Sequence, residues 1–196
     1  MLDEFRGTAA LVLAIPAGGV PVAASIAEDL GLPLDVLPVS KVLYPWTTES
    51  GYGAVAWDGS VWLDTERIQG FGLREHQVQT AVAQARAKVE RRVARLHAGR
   101  AALALEGRTV ILVDDGIAAG STMRTAIAAL RRQGASRIVV AVPTAHEAAF
   151  AATGKLADEA YCANIRGGAR FAVADAYAEW RDLGDDEVEA LLQNRG

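Results

Sequence analysis

A single cysteine, Cys162, leaves no partner for an intramolecular disulfide and rules out a cysteine-rich zinc site. Histidine is scarce too: His76, His97 and His146 have no metal-ligand spacing, and none is assigned to a metal or to catalysis. Positive charge is in deficit, with 20 basic against 24 acidic residues and a net charge of −4. That balance speaks against non-specific nucleic-acid binding, which needs a basic surface. No apolar run approaches the ~20 residues of a membrane span. The start has no basic segment and its apolar run is broken by Pro16, so no secretory leader is expected and a cytoplasmic location is. Internal repeats and low-complexity linkers are missing as well.

What the chain does have is hydrophobic residues, 51% of 196, enough for a sizeable core. One α/β domain over 1–196 is expected, with a core at about 8–163 and a small C-terminal hood at about 164–196. Residues 10–15 read as a buried strand, 16–19 as a tight loop, and 20–30 as a helix closed by Gly31. Residues 34–39 read as the next strand, ending near Lys41. The aromatic, glycine-bearing stretch 44–53 reads as a mobile loop. Residues 54–57 and 60–63 flank Asp58-Gly59, a hairpin signal. A long helix is expected over 74–96, its apolar stripe formed by Val78, Val82, Ala85, Val89, Val93 and Leu96. Arg86, Lys88, Arg91, Arg92 and Arg95 read as its solvated face. Strands over 137–142 and 159–162 and helices from 147 and 185 complete the chain. Such alternation implies a mostly parallel central sheet with helices on both faces. Ligands of such sheets bind beyond the carboxyl ends of the strands. Gly18, Lys41 and Asp114 all follow expected strand ends, so they can converge there.

Residues 110–122, VILVDDGIAAGST, carry the most chemistry. An apolar strand ends in two acids, Asp114 and Asp115. A small-residue loop follows, and then a helix. Helix N-termini attract anions through unpaired N–H groups and the macrodipole. Ionised carboxylates only accept hydrogen bonds, so the pair suits two donor hydroxyls. A ribose 5-phosphate offers both groups. Two blander readings stand beside this one: an acid pair that holds a metal, and an ordinary strand-to-helix turn with Ser121 as N-cap.

This stretch resembles the phosphoribosyl-diphosphate (PRPP) signature of type I phosphoribosyltransferases. Residues 11–41, LVLAIPAGGVPVAASIAEDLGLPLDVLPVSK, resemble the first β-α-β unit of that family. Residues 53–55 and 171–192 are similar to an uncharacterised bacterial and archaeal branch. The resemblance implies a type I phosphoribosyltransferase-like fold, PRPP and a nitrogenous base as ligands, Mg²⁺ as cofactor, and a homodimer. It places the ribose on Asp114 and Asp115. The 5-phosphate falls to Gly116, Ile117, Ala118, Ala119, Gly120, Ser121 and Thr122. The diphosphate falls to Ala17, Gly18, Gly19 and Lys41, and a flexible lid to 49–53.

Two positions depart from the pattern. Ala17 stands where the branch usually has Arg, which removes a cation from the diphosphate loop. Ala118 stands where 6-oxopurine enzymes carry Asp, as in relatives that act on adenine or orotate, and no substitute general base is evident. Near the C-terminus Arg166, Arg170, Phe171, Tyr177 and Trp180 form a basic and aromatic cluster. A base could stack on Tyr177 or Trp180; equally, these rings could close the core under the last helix. The expected function is Mg-dependent transfer of a phosphoribosyl group from PRPP to a base with release of diphosphate. The alternatives are a PRPP- or nucleotide-binding regulator that has lost turnover, and a phosphate-binding α/β domain with an unrelated ligand.

Overall fold

The computed structural model describes residues 1–48, 50–99, 103–168 and 171–193. Five parallel strands form the central sheet: β1 (Leu11–Ala14), β2 (Leu34–Val36), β6 (Thr109–Val113), β7 (Arg137–His146) and β8 (Glu159–Arg166), in the order β2-β1-β6-β7-β8. Period-two alternation assigns the side chains to two cores. Leu11, Leu13, Val110, Leu112, Ile138 and Val140 face one layer with Met123, Ile127 and Leu130 of helix α4 (Ser121–Arg132). Val12, Ala14, Ile111, Val113, Val139 and Ala141 face the other. There they meet Val20, Ala23 and Ala27 of α1 (Gly19–Leu30) and Val188 and Leu192 of α6 (Asp185–Gln193). The mostly parallel, doubly covered sheet expected from the sequence is thus present. Gly31 closes α1 at φ 65°, as expected.

A second sheet is antiparallel and was only half visible in the sequence. It orders β3 (Val39–Leu43), β4 (Gly51–Ala56) and β5 (Val61–Leu63), with Gly59 at φ 81° in the β4–β5 turn. The strand expected over 34–39 divides at Pro38, which lacks an N–H for the ladder. Lys41 therefore lies inside β3, opposite Ala54, and does not follow the end of the second strand. Nor do Gly51, Tyr52 and Gly53 form a mobile loop or lid. They belong to β4 and are buried, Tyr52 to 1% exposure. Glycine is what admits them. A Cβ at 51 would lie 2.6 Å from the Val42 carbonyl oxygen, and one at 53 would overlap the Trp62 carbonyl. Glu49 lies outside the described residues.

Helix α3 (Glu75–Leu96) covers this sheet, with Val78, Val82, Ala85, Val89 and Val93 packed on Val42, Tyr44, Tyr52 and Val55. A short helix, α2 (Thr65–Gly70), precedes it, and α5 (Glu147–Gly154) joins β7 to β8. None of the described helices is long and apolar enough to cross a membrane.

Candidate functional site

Because β1 and β6 are neighbours, the loops that leave their carboxyl ends are neighbours too. The contact is intimate. A Cβ at Gly18 would overlap the Asp115 Oδ2 atom, and one at Gly19 would lie 2.8 Å from the Val113 carbonyl oxygen and 2.9 Å from Asp114 Cα. The contact at 19 is with backbone, which cannot turn aside, so the acid pair and the 16–19 loop fit together only with glycine at 19; at 18 a side chain would have to displace the Asp115 carboxylate. Ala17 sits half-buried beside them, after a cis Pro16–Ala17 peptide.

The two carboxylates are half-buried and adjacent. Burial pushes the Asp114 carboxyl well above its ordinary range, and the Asp115 charge adds to the push. The Asp115 N–H donates to Asp114 Oδ1 at 2.9 Å, which opposes that shift, as does the charge of Lys41. Burial also raises Asp115, against the lowering influence of Asp114, Lys41 and the Gly116 N–H. Lys41 therefore acts on the acid pair even though it stands in the second sheet. Left alone, the pair favours keeping a proton; hydroxyl donors or a cation would favour its ionised form.

The 116–122 loop divides into a structural and an open part. Gly116 is packed from above, since a Cβ there would meet Val173 Cγ1 at 2.8 Å and Thr144 Cγ2 at 3.0 Å. Ile117 is buried, its N–H donating to the Thr144 carbonyl and its own carbonyl accepting from the His146 N–H. Ala118 and Ala119 are exposed. Gly120 takes φ 78°, ψ 0° at the N-cap of α4, a left-handed conformation natural to glycine. Ser121 is not the N-cap. It lies within the first turn, and no side chain caps the helix. Helix α1 likewise begins after Gly18 without a side-chain cap. Two 12-residue helices thus point uncapped N-termini at the neighbourhood of the acid pair.

The C-terminal segment closes one side. A 3-10 turn, Val173–Ala176, packs on Gly116, and the Tyr177 hydroxyl donates to the Asp115 carbonyl oxygen at 2.6 Å. Burial, then the charges of Asp115 and Asp114, push that phenol up to about 12, so it stays a donor. Trp180 meets Tyr177 edge-on at 5.1 Å and is 43% exposed. Tyr177 therefore stands at the acid pair with Trp180 beside it, while Val188 and Leu192 close the core under α6. The basic and aromatic cluster splits. Arg166 stacks over Phe171 at 5.9 Å, apart from the tyrosine–tryptophan pair, and Arg170 lies outside the described residues.

One site residue was misread as surface. Arg92 does not belong to a solvated face: Nη1 donates to the Pro16 carbonyl at 2.9 Å and Nε pairs with Asp185 at 3.0 Å. Its place on the α3 stripe, three residues after Val89, was the available signal. No group of three or more His, Cys, Asp or Glu side chains able to hold a metal occurs among the described residues.

The phosphoribosyl transferase domain family matches residues 1–173. The chain belongs to that family. Two Mycobacterium tuberculosis proteins, from strains CDC 1551 and H37Rv, carry a provisional phosphoribosyl transferase name. Each is 36% identical over 191 residues, covering 97% of this chain and 43% of the relative. The chain thus spans less than half the length of those relatives. The crystal structure of TT1426 from Thermus thermophilus is similar at TM-score 0.77 and 32% identity, over 99% of this chain and 91% of that one.

Proposed function

We propose that the chain transfers a 5-phosphoribosyl group from PRPP to a nitrogenous base and releases diphosphate. The observation that carries this reading is the meeting of two uncapped helix N-termini with glycine starts at one pair of adjacent carboxylates. Anion sites on both sides of an acceptor pair fit a ligand with phosphate at each end and hydroxyls between. Asp114 and Asp115 accept from the ribose 2′- and 3′-hydroxyls. The open part of the loop, Ala118 to Thr122, takes the 5-phosphate at the start of α4. Gly18 and Gly19 bring the start of α1 to the diphosphate. As the bond at C1 breaks, positive charge develops on the ribose, and the ionised acid pair stabilises it.

A magnesium ion would supply charge neutralisation to the departing diphosphate. The donor set fits an ion held mainly by ligand oxygens, since the protein offers two carboxylates and no cage among the described residues. The protein's own part is positioning and electrostatics, with no covalent intermediate. Tyr177 anchors the hood to the acid pair and, with Trp180, offers aromatic faces for the acceptor base.

Ala17 and Ala118 favour a second reading, a PRPP-binding regulator without turnover, because neither supplies a charged group. Calorimetric titration with PRPP and Mg²⁺, against ribose 5-phosphate, tests the site. Saturable binding that weakens without the diphosphate supports it, and no binding at millimolar PRPP rejects it. Diphosphate release over a panel of bases then separates enzyme from regulator.

A further inference from the structure

Ala17 leaves the loop after β1 without a cationic side chain, yet cations from other elements gather at the same place. Lys88 and Arg92 stand four residues apart on α3, and so on one face of that helix. The Arg92 side chain is 14% exposed and bridges two elements, bonding the Pro16 carbonyl at 2.9 Å and Asp185 at 3.0 Å. Helix α3 packs against β3, which carries Lys41. Lys41 acts electrostatically on Asp114, on Asp115 and on Lys88, so the acid pair and this face of α3 share its field. Lys88 also feels Arg92 and Arg91. Partial burial, and then the Arg92 charge, hold its ammonium below the ordinary lysine range, against the pull of Asp185. Gathered like charges repel one another, and a polyanion among them would relieve that repulsion. In its place the protein supplies Asp185, at the start of α6.

We propose that Lys88 and Arg92 form the cationic wall of the diphosphate subsite, taking the place of a cation at position 17. Lys88 contacts the diphosphate as a mobile point charge. Arg92 is a positioning residue: its guanidinium holds the Pro16 carbonyl, and with it the loop whose Gly18 and Gly19 face the ligand. Asp185 is the internal counter-charge that the incoming diphosphate displaces from the field of the wall. The identity of the ligand rests on the phosphoribosyl-transfer reading above.

The test titrates the full chain with inorganic diphosphate and Mg²⁺, and separately with ribose 5-phosphate. Lys88→Met should weaken diphosphate about tenfold and leave ribose 5-phosphate unchanged. Its side chain is exposed to solvent although its ammonium lies among neighbouring groups, so the fold stays intact, which a melting curve verifies. Arg92→Met should weaken diphosphate, and Arg92→Lys should restore only part of the loss, because lysine keeps the charge without the two-directional bonding. Asp185→Asn should tighten diphosphate by about threefold. Unchanged diphosphate affinity in Lys88→Met overturns the proposal, as does an equal loss for both ligands or a parent chain that binds no diphosphate. The wider reading fails separately, if ribose 5-phosphate affinity survives Asp114→Asn with Asp115→Asn.

Discussion

Helices α1 and α4, which begin beside the acid pair, and helices α2 and α3, which begin elsewhere, treat their first turns in opposite ways. Helix α2 is capped by Asp64, which accepts from the Arg67 N–H at 3.0 Å. At α3 the Gln77 side chain accepts from the N–H of Arg74, the N-cap residue, at 2.9 Å. Helix α1 starts with Gly19 and helix α4 follows Gly120 at its N-cap, and neither has a side-chain cap; α5, at the same end of the sheet, has none either. A missing cap costs about 1 kcal/mol. Where the sequence provides caps, it stabilises its own helices. At the acid pair it leaves donors free for an anion, and stability there depends on what binds.

The sharpest way to break that contrast is to put a methyl group where the two loops touch. Gly19→Ala would drive a Cβ against the backbone of Val113 and Asp114, which cannot yield as a side-chain tip does. Overpacking of this kind costs about 1–3 kcal/mol, and PRPP binding should be lost. Gly70→Ala, with nothing within 4 Å, is the matched control: affinity should not change, and the melting temperature should hold or rise slightly, since alanine suits the end of α2 better than glycine. Equal effects of the two substitutions would remove the special status of the loop contact.

The acid pair gives the next largest effect, with a sign that depends on pH. Asp114 is raised well above 3.8, its ordinary value. The folded chain therefore holds a proton more tightly than the unfolded chain does, and stability falls as pH rises from 3.8 through the raised value. Asp114→Asn removes that loss. Melting curves should show the variant more stable than the parent at neutral pH, with the gain vanishing toward pH 3.8. A gain that persists below that point, or a loss at neutral pH, contradicts the burial argument. Residues kept at a stability cost are expected of a binding site rather than of a scaffold.

Smaller effects separate the two kinds of helix start. Gly120→Ala forces a left-handed conformation on a residue with a Cβ, which costs about 1–2 kcal/mol. Ribose 5-phosphate should bind more weakly as well. Asp64→Ala at the capped α2 should cost roughly 1 kcal/mol with PRPP affinity unchanged. Denaturant melts and calorimetry on the two variants distinguish a site-linked start from a structural one. A drop in affinity for the α2 variant would erase the distinction.

The central sheet could be read from the sequence because its strands are continuous apolar runs, and such runs need no partner to be recognised. Val110 to Val113 show the strand, and the acids behind them mark the candidate site. Residues 51–53 misled because Gly51, Tyr52 and Gly53 resemble a loop until the carbonyls of Val42 and Trp62, brought close by the second sheet, account for the two glycines. Lys41 does not follow the second strand, yet its charge acts on both acids. It reaches the acid pair from within β3, after Pro38 has ended the previous strand. Arg92 was hidden because helical periodicity tells which face is apolar but not which loop the rim of that face meets. Its partners, Pro16 and Asp185, lie 76 and 93 residues away along the chain. The sequence shows Tyr177 as an aromatic candidate, but only the fold reveals its bond to the Asp115 carbonyl.

The most direct test of the ribose assignment compares the parent chain with Asp114→Asn, Asp115→Asn by calorimetric titration with PRPP and Mg²⁺. The expected result is saturable binding by the parent and a loss of at least about a hundredfold, near 3 kcal/mol, in a double variant that still melts cooperatively. Undiminished PRPP affinity in that variant would show that the acid pair is not where the ribose lies.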